Sequence, residues 1–222
     1  MSNLRIENVS YRYKSASKLT LNGVSCEFQA GTVSAVIGPS GSGKTTLLSL
    51  LAGLDRPEGG RVLLEGEDLA GMDLDAYRRG SVSVIFQAFQ LFPLLTVLEN
   101  VCYPMELSGV PVKAARERAG ELLKSVGIGE EKLRRFPANL SGGEQQRVAI
   151  ARSLATGARV LLADEPTGNL DGENSRNVVE LLTRLAHEEG YCVIIVTHDL
   201  AIADVSDRVY RMADGALTEQ AG

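Results

Sequence analysis

Four short runs of the chain are almost continuously apolar and rich in β-branched residues: TVSAVIG (Thr32–Gly38), SVSVIFQ (Ser81–Gln87), RVLLADE (Arg159–Glu165) and YCVIIVTHD (Tyr191–Asp199). They are too short for helices. Their lack of in-and-out alternation predicts strands buried on both faces, as in a parallel sheet. Between and after them the apolar spacing becomes helical, in TTLLSLLAGL (Thr45–Leu54) and NSRNVVELLTRLAHEEG (Asn174–Gly190). Strands alternating with helices predict a doubly wound α/β core. GGRVLLEGEDL and RVYRMADGALTEQ, the latter with an Asp214-Gly215 turn, read instead as hairpin-like edge strands.

From Phe89 to Thr156 the strand pattern stops, and TVLENVCYPMELSG, VKAARERAGELLKSVGI and the run opened by Ser141 read as helices. The expected organisation is one domain over residues 1–222. Its core comprises 1–88 and 157–222, and 89–156 is a helical insert. Pro93, Pro104, Pro111 and Pro137 are expected to separate short helices within the insert.

Composition narrows the class. A chain of 222 residues with 44% apolar content buries a real core without staples. Cys26, Cys102 and Cys192 are widely spaced and odd in number, which predicts reduced, buried thiols in a cytosolic protein. The start, MSNLRIENVSYRY, lacks a secretion pattern, and no apolar run approaches the roughly 18 to 20 residues of a membrane span. A soluble chain without direct membrane insertion is expected. The net charge of -5 argues against a nucleic-acid partner, which would demand a basic face.

Candidate chemistry begins after the first apolar strand, at Gly38-Pro39-Ser40-Gly41-Ser42-Gly43-Lys44-Thr45, followed by Thr46 and a leucine-rich helix. In this context the pattern is a phosphate-binding P-loop. Glycines let backbone N–H groups turn toward phosphates, and the helix N-terminus adds partial positive charge. Lys44 is expected at the β- and γ-phosphates and Thr45 on Mg²⁺. The strand RVLLADE supplies Asp164 for the metal and Glu165 as a base that orients and deprotonates water. The competing reading of this carboxylate pair is a helix cap after Pro166.

A second glycine turn, LSGGEQQ (Leu140–Gln146), precedes another helix. Ser141 and Glu144 have the spacing of a capping box. Gly142 and Gly143 lack that explanation, since each costs about 1 kcal/mol against alanine in a helix. Bare backbone at a helix start admits an anion. The P-loop leaves the γ-phosphate facing outward, so a head-to-tail dimer with two composite sites is expected.

The motifs GPSGSGKT, FQ, LSGGEQQ, VLLADEP, NLD and VTH, in this order from Leu4 to about Leu217, resemble the ABC-type ATPases. The resemblance implies an α/β P-loop NTPase with a mainly parallel sheet, an antiparallel β edge subdomain and an inserted helical subdomain. It also implies ATP and Mg²⁺ as cofactors. By resemblance Tyr13 stacks on adenine, with Tyr11 the competing position. Gln87 contacts Mg²⁺ or the attacking water, the alternative being a polar cap on a strand end. His198 bonds the γ-phosphate. Ser141, Gly142, Gly143, Glu144 and Asp171 contact the opposing copy's nucleotide site. The family's signature usually has glutamine where Glu144 stands, which puts only that side chain's contact with nucleotide in doubt. His187 reads as a solvated helix residue without a role.

The resemblance is strongest to the branch with lipoprotein-releasing, macrolide-export, peptide-resistance and haem-export ATPases and a cell-division relative. It implies a subunit bound peripherally on the cytoplasmic face of the membrane. A separate permease would dock near Gln87–Leu95, where Phe89, Leu91, Phe92, Leu94 and Leu95 are either its groove or simply core. Export or force transmission is the expected output. The alternative is a division- or envelope-regulating ATPase without a transported substrate. An ABC-type ATPase acting on nucleic acid or ribosomes conflicts with the acidic charge. A non-catalytic scaffold conflicts with intact Glu165 and His198, and an ordinary P-loop kinase or GTPase leaves LSGGEQQ unexplained.

Overall fold

The computed structural model describes residues 3–14 and 16–220. Met1 and Ser2 of the start and the outermost core limits, 1 and 222, therefore lie outside the described residues. In chain order, β1 (Leu4–Tyr11), β2 (Leu21–Phe28) and β3 (Val33–Ile37) precede α1 (Lys44–Leu51). Next come β4 (Gly59–Leu64), β5 (Glu67–Asp68), α2 (Leu74–Gly80) and β6 (Val82–Phe86). Three helices follow, α3 (Val97–Leu107), α4 (Val112–Ser125) and α5 (Gly142–Ala155), and then β7 (Val160–Asp164). The chain closes with α6 (Gly172–Glu189), β8 (Cys192–Thr197), α7 (Leu200–Ala203), β9 (Arg208–Ala213) and β10 (Ala216–Gln220).

Two sheets form. The smaller is antiparallel in the order β2-β1-β4-β5. The larger runs β10-β9-β3-β8-β7-β6 and is parallel except for the β9–β10 pair. Its inner strands β3 and β8 are buried at every position, the consequence of cover on both faces. Along β7, Leu161 and Ala163 face a core shared with α3–α6, whereas Val160 and Leu162 face a second core shared with α1 and the antiparallel sheet. Burying each of the valine and leucine side chains among these contributes about 1.5–3 kcal/mol.

Both predicted hairpins form, but their strands are not all at edges. β4 lies between β1 and β5, and β9 pairs in parallel with β3, so of these four strands β5 and β10 alone are outermost. The expected break at Pro104 is also corrected. Pro104 sits inside α3, which begins with a Thr96–Glu99 capping box and continues to Leu107. A proline there removes one backbone donor. Val97, Val101, Cys102 and Met105 bury the helix's apolar face against the core and hold it intact across the gap. Of the cysteines, Cys102 and Cys192 are buried and Cys26 is half-buried, all as free thiols. Burial pushes the Cys102 thiol up to about 11 and Cys192 up to about 12, so both stay protonated at neutral pH.

Candidate active site

The carboxyl ends of β3, β6, β7 and β8 lie side by side, the position at which open α/β sheets hold ligands. A cavity of about 520 Å³ opens there, lined by Ser40, Gly41, Gly43, Lys44, Thr45 and Thr46 from the first glycine loop, and by Tyr13, Thr20, Gln87, Asp164, Glu165 and His198. Leaving β3, the chain has no room for a side chain at Gly38, where a Cβ would overlap the Met212 carbonyl oxygen. Gly43 is the N-cap of α1 in the left-handed conformation, φ 110°, and a Cβ there would sit 2.9 Å from Leu21 Cδ2. Lys44 is buried, and its Nζ donates to the carbonyls of Gly38 (2.7 Å) and Pro39 (3.0 Å). Thr45 is exposed beside it.

The acidic side comes from β7 and the turn after it. Desolvation raises the Asp164 carboxyl above the usual range, the Glu165 charge adds to this, and Lys44 opposes it. Glu165 is left-handed at φ 47°, a conformation costing on the order of 1–3 kcal/mol for a non-glycine residue. It persists because hydrogen bonds from β8 and the turn after it fix it. Its N–H donates to Val196 O (2.9 Å), its Oε2 accepts from Thr197 Oγ1 (2.9 Å), and its Oε1 lies 2.9 Å from His198 Nδ1. Asp164 and the Thr45 hydroxyl offer oxygen donors of the kind Mg²⁺ takes when phosphates complete its shell, so these residues fit that metal.

Tyr13 rather than Tyr11 faces the cavity. The Tyr13 hydroxyl lies 2.9 Å from Thr46 Oγ1, whereas the half-buried Tyr11 packs on the core and meets the Tyr13 ring edge-on at 5.1 Å. Gln87 is tied to the turn after β7, since Asn169 Nδ2 donates to the Gln87 carbonyl (2.9 Å). The loop after Gln87 contains two left-handed residues, Phe89 and Gln90. Arg152 of α5 donates to both of their carbonyls, at 3.2 and 2.7 Å, and buried Asn100 donates to those of Phe92, Leu95 and Thr96. Within this loop Leu91 packs on the core, whereas Phe92 and Leu94 are exposed, Leu94 by 87%.

The second glycine turn and Asp171 lie outside the cavity. Ser141 caps α5 in a complete capping box with Glu144, whose other oxygen accepts from Lys132 Nζ at 2.6 Å. These bonds hold the Glu144 carboxyl below the ordinary range, the Lys132 bond contributing most. The expectation that both glycines lack an internal reason is corrected. Gly143 is buried, and a Cβ there would overlap the Asn174 carboxamide and come within 2.9 Å of Asn174 Cβ. Asn174 is in turn fixed by Asp171, which caps α6 by accepting from Asn174 N (2.9 Å) and Nδ2 (2.8 Å). At Gly142 the nearest atom to an added Cβ is Leu170 Cδ2 at 3.4 Å, so only this glycine has no internal requirement. His187 is likewise not simply solvated, because its Nε2 lies 2.9 Å from Asp207 Oδ2, which also accepts from Val33 N.

Three contributors escaped the sequence reading. Thr20 belongs to an irregular segment with no pattern. Asn169 and Thr197 stood inside quoted motifs, NLD and VTH, beside residues that drew the attention.

Comparison with known proteins agrees with this geometry. The family model described as ABC transporter matches residues 21–168. The ABC transporter ATP-binding protein YclH of Bacillus subtilis, itself uncharacterised, is 43% identical, covering 98% of this chain and 96% of that protein. The lipoprotein-releasing system ATP-binding protein LolD of Syntrophotalea carbinolica is 47% identical, with 89% and 88% covered. A dimeric post-hydrolysis structure of the ATP-binding cassette MJ0796, bound to ADP and Pi, superposes with a TM-score of 0.87 at 36% identity, covering 99% of each chain. A P-loop cavity with its acidic partners, matched over most of the chain by these cassettes, leaves one conclusion: the chain belongs to the ABC transporter family, as an ATP-hydrolysing cassette.

Proposed function

We propose that two copies of this cassette close around two ATP molecules and open after hydrolysis, and that this movement drives a separate membrane permease in export or force transmission. One observation carries the dimer. The cavity is open to solvent, while the capped turn at Ser141, with no internal requirement at Gly142, lies outside it. The N-terminal N–H groups of α5 suit a phosphate brought by a second copy. The relatives support the same reading, since MJ0796 was solved as a dimer and LolD is the ATP-binding protein of a lipoprotein-releasing system.

In this reading the loop amides of Gly38–Thr46 and the Lys44 ammonium hold the phosphates, and Tyr13 offers its ring to the base. Thr45, Asp164 and Gln87 would hold Mg²⁺, which would supply neutralising charge beside the phosphates. Glu165 orients and deprotonates the attacking water, and His198 bonds the γ-phosphate. Ser141, Gly142, Gly143 and Asp171 serve the partner's nucleotide, while Glu144 only supports the turn.

Among the described residues no helix is long and apolar enough to cross a membrane. We assign the chain a peripheral place on the cytoplasmic face, held by the permease. The exposed Phe92 and Leu94, on a loop pinned by Arg152 and Asn100, suit a helix of that partner. Purification from solubilised membranes should recover a polytopic protein with the cassette, and Leu94→Asp should reduce that recovery by about tenfold. Recovery with nucleic acid alone would refute the transporter reading. For the dimer, Glu165→Gln with ATP should run as a dimer in size-exclusion chromatography, and Ser141→Trp added to it should return a monomer. A dimer indifferent to the second change would contradict the composite site.

A further inference from the structure

We propose that Thr197 is a positioning residue for hydrolysis, its hydroxyl holding the Glu165 carboxylate in the orientation from which it acts on water. This rests on the reading of Glu165 as the base. Thr197 is the last residue of β8 and is fully buried, although its neighbours Glu165 and His198 line the cavity.

Its hydroxyl makes two bonds whose directions are fixed by chemistry. The Asp199 N–H, 3.0 Å away, can only donate, so the hydroxyl oxygen accepts there. An ionised carboxylate can only accept, so the single hydroxyl proton points at Glu165 Oε2, 2.9 Å away. Hydrogen bonds to ionised acceptors are about twice as strong as neutral ones. Asp199 is itself immobilised, because its carboxylate caps α7 by accepting from Ala201 N. The hydroxyl is therefore aimed by the backbone on one side and at the carboxylate on the other.

The side-chain partners of Glu165 differ in mobility, and a longer bond from the His198 backbone N–H (3.4 Å) also reaches Oε2. The His198 side chain is 71% exposed, so its bond to Oε1 exchanges readily. Thr197 is locked in a buried strand. Oε2 is consequently the anchored oxygen, and Oε1 is the one that can release His198 and take water. The Glu165 backbone is tied to β8 through its N–H bond to Val196 O, but that bond leaves the position of the carboxylate open. Thr197 fixes that position from the adjacent strand.

The test compares Thr197→Val, which keeps the β-branched shape and loses the hydroxyl, with Thr197→Ser, which keeps the hydroxyl. Turnover is expressed per nucleotide-binding-competent molecule, so that misfolded protein does not count; Thr197→Ala substitutes if the valine variant does not fold. Thr197→Val is expected to lower kcat by about 10–100-fold with KM for ATP within about twofold, since misplacing a reacting group costs up to this much. Thr197→Ser should stay within about threefold of the parent. In a Glu165→Gln background, Thr197→Val should add no further loss, as expected of groups acting as a unit. A parental kcat in Thr197→Val, an equal loss in Thr197→Ser, or additive losses in the double variant would overturn the proposal. If Glu165→Gln itself hydrolyses ATP at the parental rate, the base reading fails and Thr197 falls with it. If Glu165→Gln is inactive and Thr197→Val is not slowed, the Thr197 proposal alone fails.

Discussion

Glu165→Gln is expected to slow ATP hydrolysis by about 10²–10⁴-fold, the range lost when a positioned general base is removed, while nucleotide binding is unchanged. The substitution alters little else. Gln has the size of Glu, and its amide oxygen can still accept the Thr197 hydroxyl, which lies 2.9 Å from Glu165 Oε2. The left-handed backbone at φ 47° is retained, because its N–H bond to Val196 O does not involve the side chain. What disappears is the basicity needed to take a proton from water, equivalent to about 3–5 kcal/mol of barrier. Phosphate release measured beside nucleotide affinity checks both halves. Hydrolysis at the parental rate with intact binding would mean that another group is the base.

The second large effect is on stability. Gly38→Ala is expected to cost about 3 kcal/mol, at the upper end of overpacking penalties, and so to lower Tm by roughly 6–12 °C for a chain of this size. The added Cβ would collide with the Met212 carbonyl, part of the β9 backbone paired alongside β3, which cannot swing aside as a side chain could. The same displacement would move Gly38 O, the nearer acceptor of Lys44 Nζ. Gly41 is the control, because no atom lies within 4 Å of a Cβ added there. At φ +79° its replacement by alanine costs only about 1–2 kcal/mol of backbone strain. Thermal unfolding without nucleotide separates the two. If Gly38→Ala melts no lower than Gly41→Ala, the approach to β9 is not the constraint on Gly38.

β3, β7 and β8 were legible because burial on both faces leaves a nearly unbroken apolar run; β6 carries a similar run, but as the outermost strand of its sheet it is only partly buried, which corrects the expectation of cover on both faces there. β1 and β2 gave no such run, since charged and polar residues alternate through LRIENVSY and LNGVSCEF. Strand order was also illegible: that β9 pairs with β3 depends on contacts between Ala35 and Val209 or Val36 and Tyr210, which no local pattern records. At the site, the P-loop and its two carboxylates were readable because each residue type has a direct chemical duty. The residues that aim those groups were not. Thr197 holds Glu165, Asn169 holds Gln87 and Arg152 holds Phe89 and Gln90, each by hydrogen bonds to residues distant in sequence, and any polar residue in a motif looks alike until the partner is known. Gly143 shows the opposite case, a glycine with a packing requirement imposed by Asn174 that the sequence did not reveal.

That packing has a bearing on engineering. The Ser141–Glu144 turn and the start of α6 interlock through Gly143 and Asn174, and Asp171 fixes Asn174 from behind. A chimera that transplants the turn from a relative without also transplanting residues 171–174 would join surfaces that had not been matched. A bulkier residue at 174 would meet the helix backbone at 143, and a smaller one would leave a hollow under the turn. The portable unit is two segments about thirty residues apart in sequence, and they have to be exchanged together.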